Sequence, residues 1–146
     1  MTSDDPLEPL VDALVRTTFE VTGVLTRLAA VYDVSLTQVR LLGILRDRRA
    51  RVTDLAAYLG LDKSTMSGLV DRAERRGLVA RAKNPDDGRA VDVYLTPAGA
   101  ELTRRAYLEA RRELAPLLER LQADERGRLV GLLEAILGPE PDTGVR

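Results

Sequence analysis

The side chains of this sequence that can do chemistry are arginines, lysines, hydroxyls and carboxylates. Histidine and cysteine are both absent. That removes the commonest general base, the commonest metal ligand and every disulfide, thiolate site or thiol-based redox switch. What remains is the chemistry of holding anions, and it is concentrated in one stretch. Lys63, Ser64, Thr65, Ser67, Gly68 and Arg72 fall largely on one face of a helical segment whose other face carries Met66, Leu69, Val70 and Ala73. Thr53 lies just upstream, and Arg81, Lys83, Asp87 and Arg89 follow in a strand-turn-strand pattern. Small hydroxyl residues opening a helix hydrogen-bond bases or phosphates without holding the helix off a groove, while arginine and lysine neutralise phosphate. Ser64 and Thr65 equally suit first-turn residues that satisfy backbone amides.

The elements that must position these groups are legible. Thr53 is expected to cap a short helix, Asp54 to Leu59, with Leu55, Ala56 and Leu59 facing inward. Gly60 supplies a turn, Leu61 plugs the corner, and Asp62 caps the next helix, which Gly77 closes as a left-handed cap. Val79 to Lys83 and Ala90 to Leu95 alternate as two strands around the turn signal Asn84-Pro85-Asp86-Asp87-Gly88-Arg89. Arg89 at the tip suits a narrow minor groove, with Asp87 holding its guanidinium in a bidentate pair. An ordinary hairpin tip with a surface ion pair has the same sequence. Gly68 costs on the order of 1 kcal/mol in a helix interior; it reflects either close approach to DNA or drift at an exposed site.

The fold class expected is mainly α with a small β wing. Residues 35–95 form a winged helix-turn-helix with recognition helix 62–76 and wing 79–95. Ahead of it, within residues 1–34, apolar residues from Leu7 to Tyr32 alternate in steps of three and four, marking a helix about 39 Å long. Asp33 to Ser35 interrupts it. Thr37 is expected to cap a second helix ending in Arg46-Asp47-Arg48-Arg49, and Arg49 and Arg51 are placed for phosphate contact. Within residues 96–138, Thr96-Pro97 opens a helix in which Pro116 predicts a kink or local break, and Asp124 is expected to cap a last, very apolar helix. The tail, 139–146, is expected to be disordered. The first helix and the last two carry more apolar face than a small core absorbs, which predicts an intertwined homodimer. Two-fold symmetry would set two recognition helices roughly 34–36 Å apart on a pseudo-palindromic site in double-stranded DNA.

Bulk properties agree. The chain is one domain's worth by length. Its net charge of −1 hides an asymmetry: residues 46–89 carry 11 Lys plus Arg against 7 Asp plus Glu, a balance of +4, while the remainder stands at −5. A basic module in an acidic frame suits a protein that touches phosphate with one region only. No apolar run approaches a membrane span, and the N-terminus is acidic, so a cytoplasmic location with no membrane partner is expected. An enzyme is not expected, since there is no Gly-rich phosphate loop and Asp86-Asp87 lies in a turn; no catalytic residue, metal or cofactor is assigned.

The segments LT at 36–37, TDLAAYLGLDKSTMSGLVDRAERRGLV at 53–79, NPDDGRA at 84–90 and VYLTPAG at 93–99 resemble the multiple-antibiotic-resistance regulator (MarR) family of bacterial transcription factors. The element order matches over nearly the whole chain, and the D-x-R-A wing followed by LTPAG is the most specific part. The resemblance implies an obligate dimer, usually a repressor, released from DNA by a small, often aromatic or phenolic, effector. It implies groove contacts at Ser64, Thr65, Ser67 and Gly68 and a wing contact at Arg89 supported by Asp87. Gly68 departs from the longer polar residue expected there. Without cysteine the thiol-oxidising branch is excluded, and the lack of histidine argues against a zinc-responsive member. Tyr32 and Arg40 are the candidate ligand-binding residues, although Tyr32 also fits as the last core residue of its stripe. The alternatives are a winged-helix protein-interaction module and a DNA-binding regulator without a small-molecule ligand.

Overall fold

The computed structural model describes residues 5–139. Six helices and three short strands follow one another: α1 Glu8–Val31, α2 Leu36–Ile44, β1 Ala50–Arg51, α3 Val52–Leu59, α4 Lys63–Arg75, β2 Val79–Lys83, β3 Val91–Leu95, α5 Pro97–Leu118 and α6 Ala123–Leu137. Residues 1–4 and 140–146, and with them nearly all of the tail expected to be disordered, lie outside the described residues.

The strands form one antiparallel sheet in the order β1-β3-β2, with Ala50 opposite Val93 and Val79 opposite Leu95. The two-residue β1 was not expected; it is too short to show the alternation by which strands are read. The core is built by α2, α3, α4 and the sheet, around Leu41, Leu55, Met66, Leu69, Val70, Val79 and Val93. The apolar positions expected to face inward on α3 and α4 are all buried.

The helix starts needed several corrections. Ser35, not Thr37, caps α2: its side chain accepts the Gln38 N–H at 3.1 Å, and Gln38 Oε1 accepts the Ser35 N–H at 3.3 Å, a reciprocal box. That helix stops at Ile44, so Arg46 to Arg49 lie beyond its end. Thr53 sits inside the first turn of α3, where Arg51 occupies the cap position without a side-chain bond. At α6 the cap is Gln122, whose N–H donates to Glu125 Oε2 at 2.7 Å, and Asp124 belongs to the first turn. The break expected near Pro116 does not occur; α5 runs through it and ends two residues later. Pro116 forgoes the single bond its own N–H would make to the carbonyl four residues earlier, and the helix stays continuous through that turn.

One corner joins the winged module to the long helices. Gly77, at φ 72°, ends α4 in the left-handed region that favours glycine. The next carbonyl, of Leu78, accepts the Thr96 N–H at 3.1 Å, and Thr96 Oγ1 donates to the Gly77 carbonyl while accepting the Gly99 N–H. Gly99 is buried flat against this turn: a Cβ there would stand 1.8 Å from the Leu78 carbonyl oxygen. That obstacle is backbone and cannot swing aside. We expect Gly99→Ala to cost about 1–3 kcal/mol or more, read as a lower denaturant midpoint. A variant as stable as the parent would mean that α5 does not dock here in solution.

Candidate nucleic-acid interface

Asp62 organises the exposed start of α4. One carboxylate oxygen accepts the Thr65 N–H at 2.8 Å and the Ser64 hydroxyl at 2.7 Å, while the other accepts the Thr65 hydroxyl at 2.9 Å. The bond from the Thr65 amide, then those from the two hydroxyls, hold the Asp62 carboxyl down at about 2. Ser64 and Thr65 are therefore exposed but oriented: their only O–H donors point at Asp62, which leaves their lone pairs outward. In this state they offer acceptors to a base amino group rather than donors to a phosphate.

Further along the same face, Ser67 and Gly68 are partly exposed, with Arg72 following. A Cβ on Gly68 would meet only the Arg72 Nη1 at 3.5 Å, an ordinary contact, so nothing within the chain requires glycine there. Arg81, expected as an outward wing contact, instead reaches back to α4. Its guanidinium bonds Asp71 at 2.7 Å and Glu74 at 3.0 Å. Two carboxylates engage this one cation, so Arg81 ties wing to helix rather than presenting a free charge.

At the wing tip, Asp87 does not clamp the Arg89 guanidinium as expected. Its Oδ1 accepts the backbone N–H of Arg89 at 3.0 Å, and its Oδ2 lies 4.0 Å from Arg51 Nη1. With only one residue between them in a tight turn, Asp87 reaches the backbone of Arg89 and leaves its side chain exposed. Between the tip and α4 lies a cleft of about 460 Å³, lined by Arg51, Thr53, Lys63, Ser67, Arg81 and Arg89 among others. Thr53 thus belongs to the cleft although it caps nothing. Lys83 is exposed at the end of β2 but does not line the cleft. Arg51 was singled out from sequence only for phosphate contact; the signal for its place here is the pairing of β1 with β3, which a two-residue strand does not announce.

A second, smaller cavity of about 170 Å³ lies between α1, α2 and α5 and is almost wholly apolar. Tyr32 lines it, and its hydroxyl donates to Glu109 Oε1 at 3.0 Å. Burial first, and then that hydrogen bond, raise the Tyr32 phenol above its ordinary value. Arg40 is exposed and does not line this cavity; the cation at its wall is Arg46, stacked 4.8 Å from the Tyr107 ring centroid. The sequence places Arg46 in a charged helix end, whereas α2 stops at Ile44 and leaves Arg46 free to reach the cavity wall.

Helix, tight turn, helix and hairpin, with small polar residues on the exposed face of the second helix, define a winged helix-turn-helix protein. A model of the MarR family matches residues 32–90. Over 107 residues the chain is 32% identical to the multiple antibiotic resistance protein MarR of Salmonella typhimurium, covering 72% of this chain and 74% of that one. Over 95 residues it is 33% identical to the uncharacterized HTH-type transcriptional regulator YfiV of Bacillus subtilis, covering 64% of this chain. That match spans 59% of YfiV, little more than half its length. The fold is also that of wild-type apo MarR from Escherichia coli, with a TM-score of 0.70 at 26% identity over 91% of this chain and 97% of that one. A mutant of the same E. coli protein, crystallised with operator DNA, gives a TM-score of 0.71 at 24% identity over 94% and 100% of the two chains. The chain belongs to the MarR family.

The cap carboxylate gives a direct test. Its folded value lies below the ordinary one, so its contribution to stability is present above about 3.9 and is lost as pH falls through about 2. We expect the Asp62 side-chain NMR signal to titrate with a midpoint of about 2. A midpoint of about 4 would show that the cap is open and that Ser64 and Thr65 are free to rotate.

Proposed function

We propose that the protein is a homodimeric repressor that binds a pseudo-palindromic operator in double-stranded DNA and is released by a small aromatic effector. The observation that carries this reading is the cleft between the exposed face of α4 and the wing tip, where Arg51, Lys63 and Arg89 converge on a helix of small polar residues. A helix with short side chains sits deep in a major groove, and the wing arginine reaches the neighbouring minor groove. The E. coli relative crystallised with operator DNA supports the same partner.

The dimer follows from surface that one chain leaves uncovered. No residue of α6 is buried, and Leu137 is 81% exposed. At the start and on the first half of α1, Leu7, Leu10, Val11 and Phe19 are exposed as well. Apolar area of this extent on two helices at opposite ends of the chain suits a second copy. For the effector, the apolar cavity beside Tyr32, with Arg46 at its wall, fits a small aromatic carboxylate.

Titration on the DNA flanking the protein's own gene should show affinity falling steeply with salt, because each neutralised phosphate releases counterions. Two half-sites should be protected about one turn apart, and benzoate should weaken binding through Arg46. Salt-independent binding, or none, would overturn the reading; indifference to benzoate would leave a regulator without this class of ligand.

Gly68 separates a structural from a functional cause. Gly68→Ala should stabilise the free protein by about 1 kcal/mol, because the methyl finds room, yet weaken DNA binding if α4 is pressed against a groove at this point. Unchanged affinity would exclude close approach at Gly68.

A further inference from the structure

The wing hairpin contains a carboxylate that faces no solvent. Asp92, the second residue of β3, is fully buried. An apolar side chain would fill that position at lower cost, because a buried charge has to be offset by paired groups. Asp92 Oδ1 accepts the Asn84 Nδ2–H at 3.0 Å, and Asn84 is itself buried. Asp92 Oδ2 has no hydrogen-bond donor among the described residues and faces Arg49 Nη2 at 3.8 Å. That guanidinium in turn lies over the Tyr94 ring, 4.7 Å from its centroid.

From Asn84 the contacts run outward to the tip. Asn84 Oδ1 accepts the backbone N–H groups of Asp86 and Asp87 at 2.9 and 3.1 Å, and the Asn84 N–H donates to the Ala90 carbonyl at 3.0 Å. Asp87 then accepts the Arg89 N–H. Every step from Asp92 to the Arg89 backbone is therefore a hydrogen bond or one residue of chain. The amide of Asn84 faces both ways, so its orientation is set by which end holds the acceptor for its Nδ2–H. Asp92 is that acceptor.

We propose that Asp92 is the positioning residue of the wing: acting through Asn84, it fixes the turn that presents Arg89 to DNA. This inference rests on the DNA-binding reading above. With Asp92 replaced by an apolar residue, the Asn84 amide loses its partner and the turn loses its template, while Arg89 itself is untouched.

The experiment is a double-mutant cycle on operator DNA. Asp92→Val, a residue suited to a strand, should weaken binding about five- to tenfold, and Arg89→Ala should do the same. Arg89→Ala should then cost less than about twofold more in the Asp92→Val background. Asp92→Asn, which keeps an acceptor oxygen for Asn84, should bind within about twofold of the parent. If Asp92→Val does not fold by circular dichroism, Asn84→Ala breaks the same relay nearer the surface and enters the same cycle. Losses that multiply, or a wing arginine whose removal changes nothing, would overturn the positioning role while leaving DNA binding intact. A parent protein that binds no DNA would instead overturn the reading on which the inference stands.

Discussion

The meeting of the Gly77-Leu78 turn with the start of α5 is the contact on which the placement of everything else depends. The turn ends α4, begins the wing and receives the first turn of the long helix, all within a few residues. Thr96 bonds both of its carbonyls, and Gly99 lets the helix come within van der Waals reach of the backbone. Because the obstacle to any larger residue is main chain, the angle between α5 and α4 is fixed by sterics rather than by adjustable side chains. A second tie works from the other end of the module: the Arg76 guanidinium donates to the carbonyls of Tyr32 and Asp33, where α1 turns into α2. The C-terminal end of α4 is thus held from both long helices at once.

Carboxylates decide which of the many cations are available to an anion. Asp71 and Glu74 occupy Arg81, Asp92 faces Arg49, and Glu113 pairs with Arg27 on the far side of the molecule. Lys63, Arg72 and Arg89 have no carboxylate partner among the described residues, and all three lie on the exposed face of α4 or at the wing tip. Counting basic residues along the sequence therefore overstates the charge left free for an anion. Desolvating an arginine already held by two carboxylates gains little from a phosphate, whereas the unpaired ones gain the full attraction.

The framework was legible because it rests on periodicity and on residues with one job. Met66, Leu69, Val70 and Ala73 mark a buried stripe, and Gly60, Gly77 and the Asn84–Arg89 run mark turns that few other residues make. What was not legible were choices among near-equivalent local bonds. Ser35 and Thr37 are both plausible caps, and only the Gln three residues after Ser35 separates them. Asp87 has two donors within reach and takes the backbone of Arg89 rather than its side chain. Arg40 lies within α2 and Arg46 just past its end, so a helix expected to run through Arg46 exchanges their places. Asp92 cannot be told from an outward-facing strand residue, because β1, which sets Arg51 opposite it, is two residues long and leaves no alternation to read.

The uncovered apolar flank of α1 and α6 has a thermodynamic meaning as well as an architectural one. For a chain whose helices find their cover on a second copy, as proposed here, folding free energy and association free energy are no longer separate quantities. Dilution then acts like a denaturant, and the melting temperature becomes a function of how much protein is present. Such a protein reports its own abundance: below a threshold set by its association constant, both its order and its occupancy of any two-part target fall together.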